Sequence, residues 1–246
     1  RKNILGSALS IPFYFLGFII GFVGSMFLPF WNQGGSLAIG MWSLLCGLFT
    51  LGTIKGNNKK FPVDLEERGV KIGREKMIRT ILLALTVVFG AFLLVFISDY
   101  LFLTDYRLWC FATIRAFDAQ HLGKILLFLP LWLVYYIATS VAANCYNYTK
   151  MGKKPYSSVA WQMFFVFIGP QFMVMAQYIK FFITGKMFLD PITGIMGIWL
   201  FPIVLILPLS AFICHKIYKK TNNPYIGGII MGIIACILTV TNTLTG

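Results

Sequence analysis

Charge is what this sequence has least of. Only 12% of its 246 residues are Asp, Glu, Lys or Arg, about half the share a water-facing domain carries. That leaves too little polar surface for a soluble globular enzyme. Acidic residues are the scarcer sign, 8 against 21 Lys and Arg. Histidine occurs only as His121 and His215, and Cys46, Cys110, Cys145, Cys214 and Cys236 stand apart with no CxxC pair. These gaps exclude an HExxH or clustered Cys/His zinc site and a disulfide-stapled secreted module. The isolated thiols read as small hydrophobes. No GxSxG elbow, Walker A loop or GxGxxG turn occurs, so the usual signatures of serine hydrolysis and phosphate binding are missing too. No catalytic residue, cofactor ligand or metal ligand can be named on the chain.

What is present is apolar length. Hydrophobic residues make up 58% of the chain and aromatics 17%, with a mean hydropathy of +0.79, which excludes disorder. A membrane-spanning helix needs about 20 apolar residues. Seven stretches qualify, at about 11–30, 36–54, 80–103, 125–144, 158–183, 192–214 and 225–244. The expected fold is an all-α polytopic membrane helix bundle of seven transmembrane helices forming one domain. Pro130, Pro170, Pro202 and Pro208 fall inside spans, where each frees a carbonyl and bends its helix. No fixed-period internal repeat is visible.

The basic excess would suggest nucleic acid in a soluble chain; beside membrane helices it sets sidedness. Placing the N-terminus and the 55–79, 145–157 and 215–224 loops on one side puts 16 of the 21 Lys and Arg there. That side is expected to be cytoplasmic, and after seven crossings the C-terminus lies outside. The 55–79 loop, with eight basic and four acidic residues, reads as a solvated connection carrying a short helix, its natural partner the anionic headgroups of the bilayer. The outer segment 104–123 spaces Leu108, Phe111, Ala112, Arg115 and Ala119 as a helix would, and is expected to lie on the outer leaflet. His121 reads as interfacial and His215 as a helix-end cation beside Lys216.

Polar residues inside spans must find partners. Asp99 sits near the outer end of the third span. Ser140 and Asn144, four apart, share one face of the fourth, and Gln171 and Tyr178, seven apart, share one face of the fifth, which also carries Gln162 and Gln177. Asn222 and Asn223 open the seventh. Asp99, Ser140, Asn144, Gln171, Gln177 and Tyr178 form the candidate intramembrane polar cluster, read either as inter-helix hydrogen bonding or as a small polar cavity. A transporter or channel subunit would ask for deep ionisable residues or paired broken helices; Pro130 and Pro170 supply half that pattern.

The stretches LAIGMWSLLCGL (37–48), SDYLFLTDYRLW (98–109), LVYYIATSVAAN (133–144), AQY (176–178) with Thr184 and Gly185, and YKKTNNPYIGG (218–228) resemble the C-terminal multi-pass region of bacterial membrane-anchored α/β-hydrolases. The resemblance covers nearly the whole chain, and its most specific parts are the boxes at 104–109 and 218–225. It implies an esterase- or peptidase-like domain, fused upstream or separate, that holds the catalytic residues, and a bacterial cell membrane as the location; a chain beginning at Arg1 fits a piece that follows such a domain. A fainter likeness links KTNNPYIGGIIM (220–231) to the third motif of CAAX-type intramembrane proteases. Met231 would stand in that family's histidine position, Gln177 in a second one, and Ser140-Val141 in place of its paired glutamates, implying a fold without its catalysis.

Overall fold

The computed structural model describes residues 11–26, 35–102, 119–169 and 207–240. All regular structure among them is helical. Seven helices follow one another: α1 (Ile11–Met26), α2 (Gly35–Lys60), α3 (Arg74–Phe102), α4 (Ala119–Ser140), α5 (Pro155–Ile168), α6 (Leu207–Thr221) and α7 (Pro224–Val240). α4 does not end at Ser140. It continues through a π-helical stretch, Val141–Asn147, into a last α-turn, Tyr148–Lys150.

Three segments are long and apolar enough to cross a membrane: Ile39–Lys60, Arg74–Leu93 and His121–Lys150. The third, at 30 residues, is about 45 Å long at 1.5 Å per residue, longer than a bilayer's hydrocarbon core. α4 is the axis of the bundle. It packs against α2 on one side and α7 on another; α1 leans on α2, and α3 on α7. α3 is peripheral, with 17% of its apolar window buried against 56% for the long α4 segment, and shows Ile81, Leu82, Leu85 and Phe89 outward. Such an apolar outer surface suits lipid.

Glycines set the helix spacing. A Cβ on Gly47 of α2 would fall 2.8 Å from the Tyr135 backbone, and one on Gly228 of α7 2.7 Å from Ile137 Cα. Gly232, four residues after Gly228, faces Leu133. Without lipid-repelling force to drive helices together, close backbone approach through small residues supplies the dispersion energy. Between the helices lie Trp42, Trp132, Tyr135 and Ile39, all 1% exposed or less. Trp132 and Tyr136 stack at 6.2 Å. A second aromatic group, Tyr14, Trp161 and Phe165, clusters with Tyr146 and its neighbours in the π stretch.

The connections differ from the sequence expectation. α2 runs to Lys60, so Lys55, Lys59 and Lys60 lie on helix, and α4 reaches Lys150, leaving 151–154 as the turn into α5. That turn uses Gly152 and Lys153 at positive φ (72° and 59°), and Pro155 takes the first helical position, where its missing N–H costs nothing. The segment 61–73 carries turns and no helix; its Pro62, Asp64, Glu66, Glu67 and Lys71 are exposed, as a solvated connection requires, but its other side is docked on the bundle. Tyr225 Oη donates to the Val70 carbonyl at 2.5 Å, Asn222 Nδ2 to the Glu67 carbonyl at 2.8 Å, and Cys145 Sγ to the Arg68 carbonyl at 3.5 Å. Of the 104–123 segment, residues through Asp118 lie outside the described residues, and Ala119–Gly123 belong to α4. Pro130 is inside α4 and Pro208 near the start of α6; Pro170 and Pro202 lie outside the described residues.

Candidate functional site

The turn between α6 and α7 is written in three residues. Asn222, at φ 47°, is the left-handed residue past the end of α6, and its N–H bonds the Tyr218 carbonyl at 2.7 Å, the single-bond form of helix termination. Asn223 then caps α7: its Oδ1 accepts from the Tyr225 N–H at 3.0 Å, while its Nδ2 donates to Thr80 Oγ1 of α3 at 2.6 Å. Pro224 follows as the first residue of α7. The Pro224 carbonyl is thereby aimed at α4.

Ser140 Oγ donates to that carbonyl at 2.7 Å. With its proton committed, the Ser140 oxygen accepts from Asn144 Nδ2 at 3.1 Å, which fixes the amide of Asn144 and turns Oδ1 away from α7. Oδ1 then gathers three donors: Ser158 Oγ at 2.5 Å, Gln162 Nε2 at 3.3 Å and His215 Nδ1 at 3.2 Å. Because Oδ1 can only accept, His215 carries a proton on Nδ1. Gln162 Nε2 also reaches Ser158 Oγ and the Ala211 carbonyl, each at 3.3 Å. One amide thus joins α4, α5, α6 and α7. Asn144 and Ser158 are fully buried and His215 is 1% exposed.

The π stretch makes this possible. Its i→i+5 bonding widens the turn, and the Tyr148 N–H accordingly reaches back to the Ala143 carbonyl. All seven of its residues are buried, Asn147 among them. Both side-chain polar atoms of Asn147 and Nε2 of His215 are buried without a hydrogen-bond partner among the described residues. Tyr148 meets the His215 ring edge-on at 5.0 Å. Lys150, 7% exposed, lies over the Phe61 ring at 5.3 Å and the Tyr146 ring at 5.7 Å, a cation held by aromatic faces.

Of the residues singled out from sequence, the structure brings Ser140 and Asn144 together. Asp99 falls on α3, with its side chain outside what is described, and Gln171, Gln177 and Tyr178 lie outside the described residues. Ser158 and His215 were not foreseen as members. Ser158 shares a face of α5 with Gln162, four residues on, which was the available signal. The reading of His215 as a helix-end cation is corrected: packing against Asn144 and Tyr148 buries it, although Lys216 next door is exposed. The four described cysteines are free and buried, their thiols turned to carbonyls of neighbouring segments, as Cys46 to Gly17 at 3.7 Å and Cys214 to Gly227 at 3.6 Å. Among the described residues no group of three His, Cys, Asp or Glu is placed to hold a metal ion.

Chemically, the centre is a set of amides and hydroxyls that satisfy one another, plus one imidazole with a buried lone pair at Nε2. It can lock helices together and offer a neutral acceptor to a small polar group. No known protein family, curated protein or solved structure matches the chain.

Proposed function

We propose that the chain is a seven-span module of a bacterial cell membrane, N-terminus cytoplasmic and C-terminus outside, that anchors and orients an α/β-hydrolase domain lying outside these residues. The module would present lipid-soluble or wall-associated substrate to that domain, with anionic headgroups at its cytoplasmic face and no nucleic-acid partner. The observation that carries this reading is the Asn144 knot: the polar groups buried at the centre are spent on one another across four helices. Such groups hold a scaffold. The box at 218–225, part of the resemblance to the hydrolase-associated regions, has a structural use here: Tyr218, Asn222, Asn223 and Tyr225 build the α6–α7 turn and clamp the 61–73 segment to it. The test is the intact gene product, weighed by mass spectrometry, and its co-purifying partners. A hydrolase domain fused upstream or bound is the expected result. A native product that starts at residue 1 with no hydrolase attached, or ester or peptide turnover by these residues alone, overturns it.

Two other readings each rest on one observation. The wide π turn with unpartnered Asn147 and His215 Nε2 favours a transporter-type subunit, which solute flux into liposomes holding only this chain would reveal. The Ser140–Pro224 bond joins the two stretches that the CAAX-type likeness picks out, favouring that fold without its catalysis; an experimental structure of the bundle would decide it.

A further inference from the structure

α1 and α2 leave a groove of about 600 Å³ between them. Its apolar part is walled by Phe13 and Ile20 of α1 and Leu45, Leu48 and Phe49 of α2. Gly17 lets α1 come close to α2 beside it, since a Cβ there would lie 2.7 Å from the Phe49 ring. Further along α2 come Gly52 and Gly56, one turn apart, and both border open space: a Cβ on either would meet nothing within 4 Å among the described residues. These two therefore differ from Gly47, whose missing side chain is filled by the backbone of α4. The groove ends in polar groups, Asn57 and Lys60. Lys60 is exposed, and among the described residues no carboxylate pairs with it.

Length and charge identify an occupant. From Leu45 to Lys60 the helix rises about 22 Å. Half of a bilayer, from midplane through the headgroups, is also about 20–22 Å. A groove that is apolar for its length, open to the side, and cationic at the end carrying most of the basic residues matches one lipid of that leaflet. We infer that the α1–α2 groove is a binding site for a single anionic glycerophospholipid, an acyl chain lying along Leu45–Gly52 and the phosphate meeting Lys60. This rests on the reading that the chain spans a membrane with the Lys60 end cytoplasmic.

The test uses the full chain purified in mild non-ionic detergent and titrated with phosphatidylglycerol or phosphatidylcholine under native mass spectrometry. One phosphatidylglycerol per chain should be retained at about a fivefold lower lipid concentration than phosphatidylcholine, as one lysine–phosphate contact implies. Lys60→Glu should erase that preference. Gly52→Leu with Gly56→Leu should cut retention of both lipids about tenfold without lowering the unfolding temperature, because the new side chains enter open space. Gly90→Leu, at an equally open glycine of α3, should leave retention of both lipids unchanged. Equal retention of the two lipids, or full retention after the double glycine change, overturns the site. So does a disulfide from Gly56→Cys to a second copy or to a cysteine introduced in 170–206, which would show protein covering the groove. Carbonate extraction of the membranes separates the two claims: release of the chain sinks the spanning reading, whereas a chain that stays embedded yet retains no lipid sinks only the groove.

Discussion

Ser140 Oγ lies 2.7 Å from the carbonyl of Pro224, a residue 84 positions away. That single bond sets the direction of every donor behind it, through Asn144 to Ser158, Gln162 and His215. The amide of Asn144 is the point where four helices agree, and its replacement is the sharpest probe of the bundle.

Asn144→Leu strands the Ser158 and His215 donors and the Ser140 acceptor, while Gln162 keeps Ser158 Oγ and the Ala211 carbonyl. Each buried group left alone costs about 1–3 kcal/mol, offset in part because a membrane-embedded unfolded state finds other partners. The expected net loss is about 2 kcal/mol by equilibrium denaturation in detergent. Ser158→Ala removes the bond to Asn144 and the acceptor offered to Gln162, and should cost about 1 kcal/mol. Equal losses for the two would mean that Asn144 is not the hub.

Glycine substitutions should divide by what each glycine faces. Gly228→Ala drives a Cβ to 2.7 Å from Ile137 Cα, and overpacking of that kind costs about 1–3 kcal/mol. Gly90→Ala meets nothing within 4 Å and should gain up to about 1 kcal/mol from helix propensity. Opposite shifts in unfolding temperature are expected.

The docking of 61–73 depends on Gly69. Its φ is 78°, and a Cβ would sit 1.8 Å from the Asn222 carbonyl oxygen. Gly69→Ala should release the segment and raise trypsin cleavage at Arg68 and Lys71 at least tenfold. Asn222→Ala forces a side chain into the left-handed region at about 1 kcal/mol and loses the Glu67 bond, whereas Asn222→Gly loses only the bond. Cleavage should therefore rank Gly69→Ala above Asn222→Ala above Asn222→Gly.

Sidedness follows from the basic residues. Cysteine placed at Lys59 or Lys153 should react with an impermeant maleimide only after the membrane is opened, and cysteine at Lys124 in intact cells. Reaction of all three from one side would overturn the proposed orientation.

The helices were legible wherever apolar runs are long, because burial in lipid demands them. Their ends were not. Asn147 and Lys150, past the expected end of the fourth span at 144, look like loop residues in sequence, yet the helix carries them on, and Lys150 finds the Phe61 and Tyr146 rings, which no local pattern shows. Asn222, Asn223 and Pro224 were readable as a helix junction from residue type alone. The docked 61–73 segment was not, because Gly69 and Asn222 meet across more than 150 residues and neither is unusual in its own neighbourhood. The polar centre was half visible: Ser140 and Asn144 stood out at helical spacing, while His215 was masked by the lysines that follow it.

The swollen turn at 141–147 also limits how this sequence can drift. Removing one of its seven residues would let the stretch close as ordinary α-helix and swing all that follows by about 100°, pulling Lys150 off its two rings and Tyr148 off His215. Outside Asn144, then, the length of this window is held more tightly than its letters, so single-codon gains and losses there should be far rarer than replacements of its apolar residues.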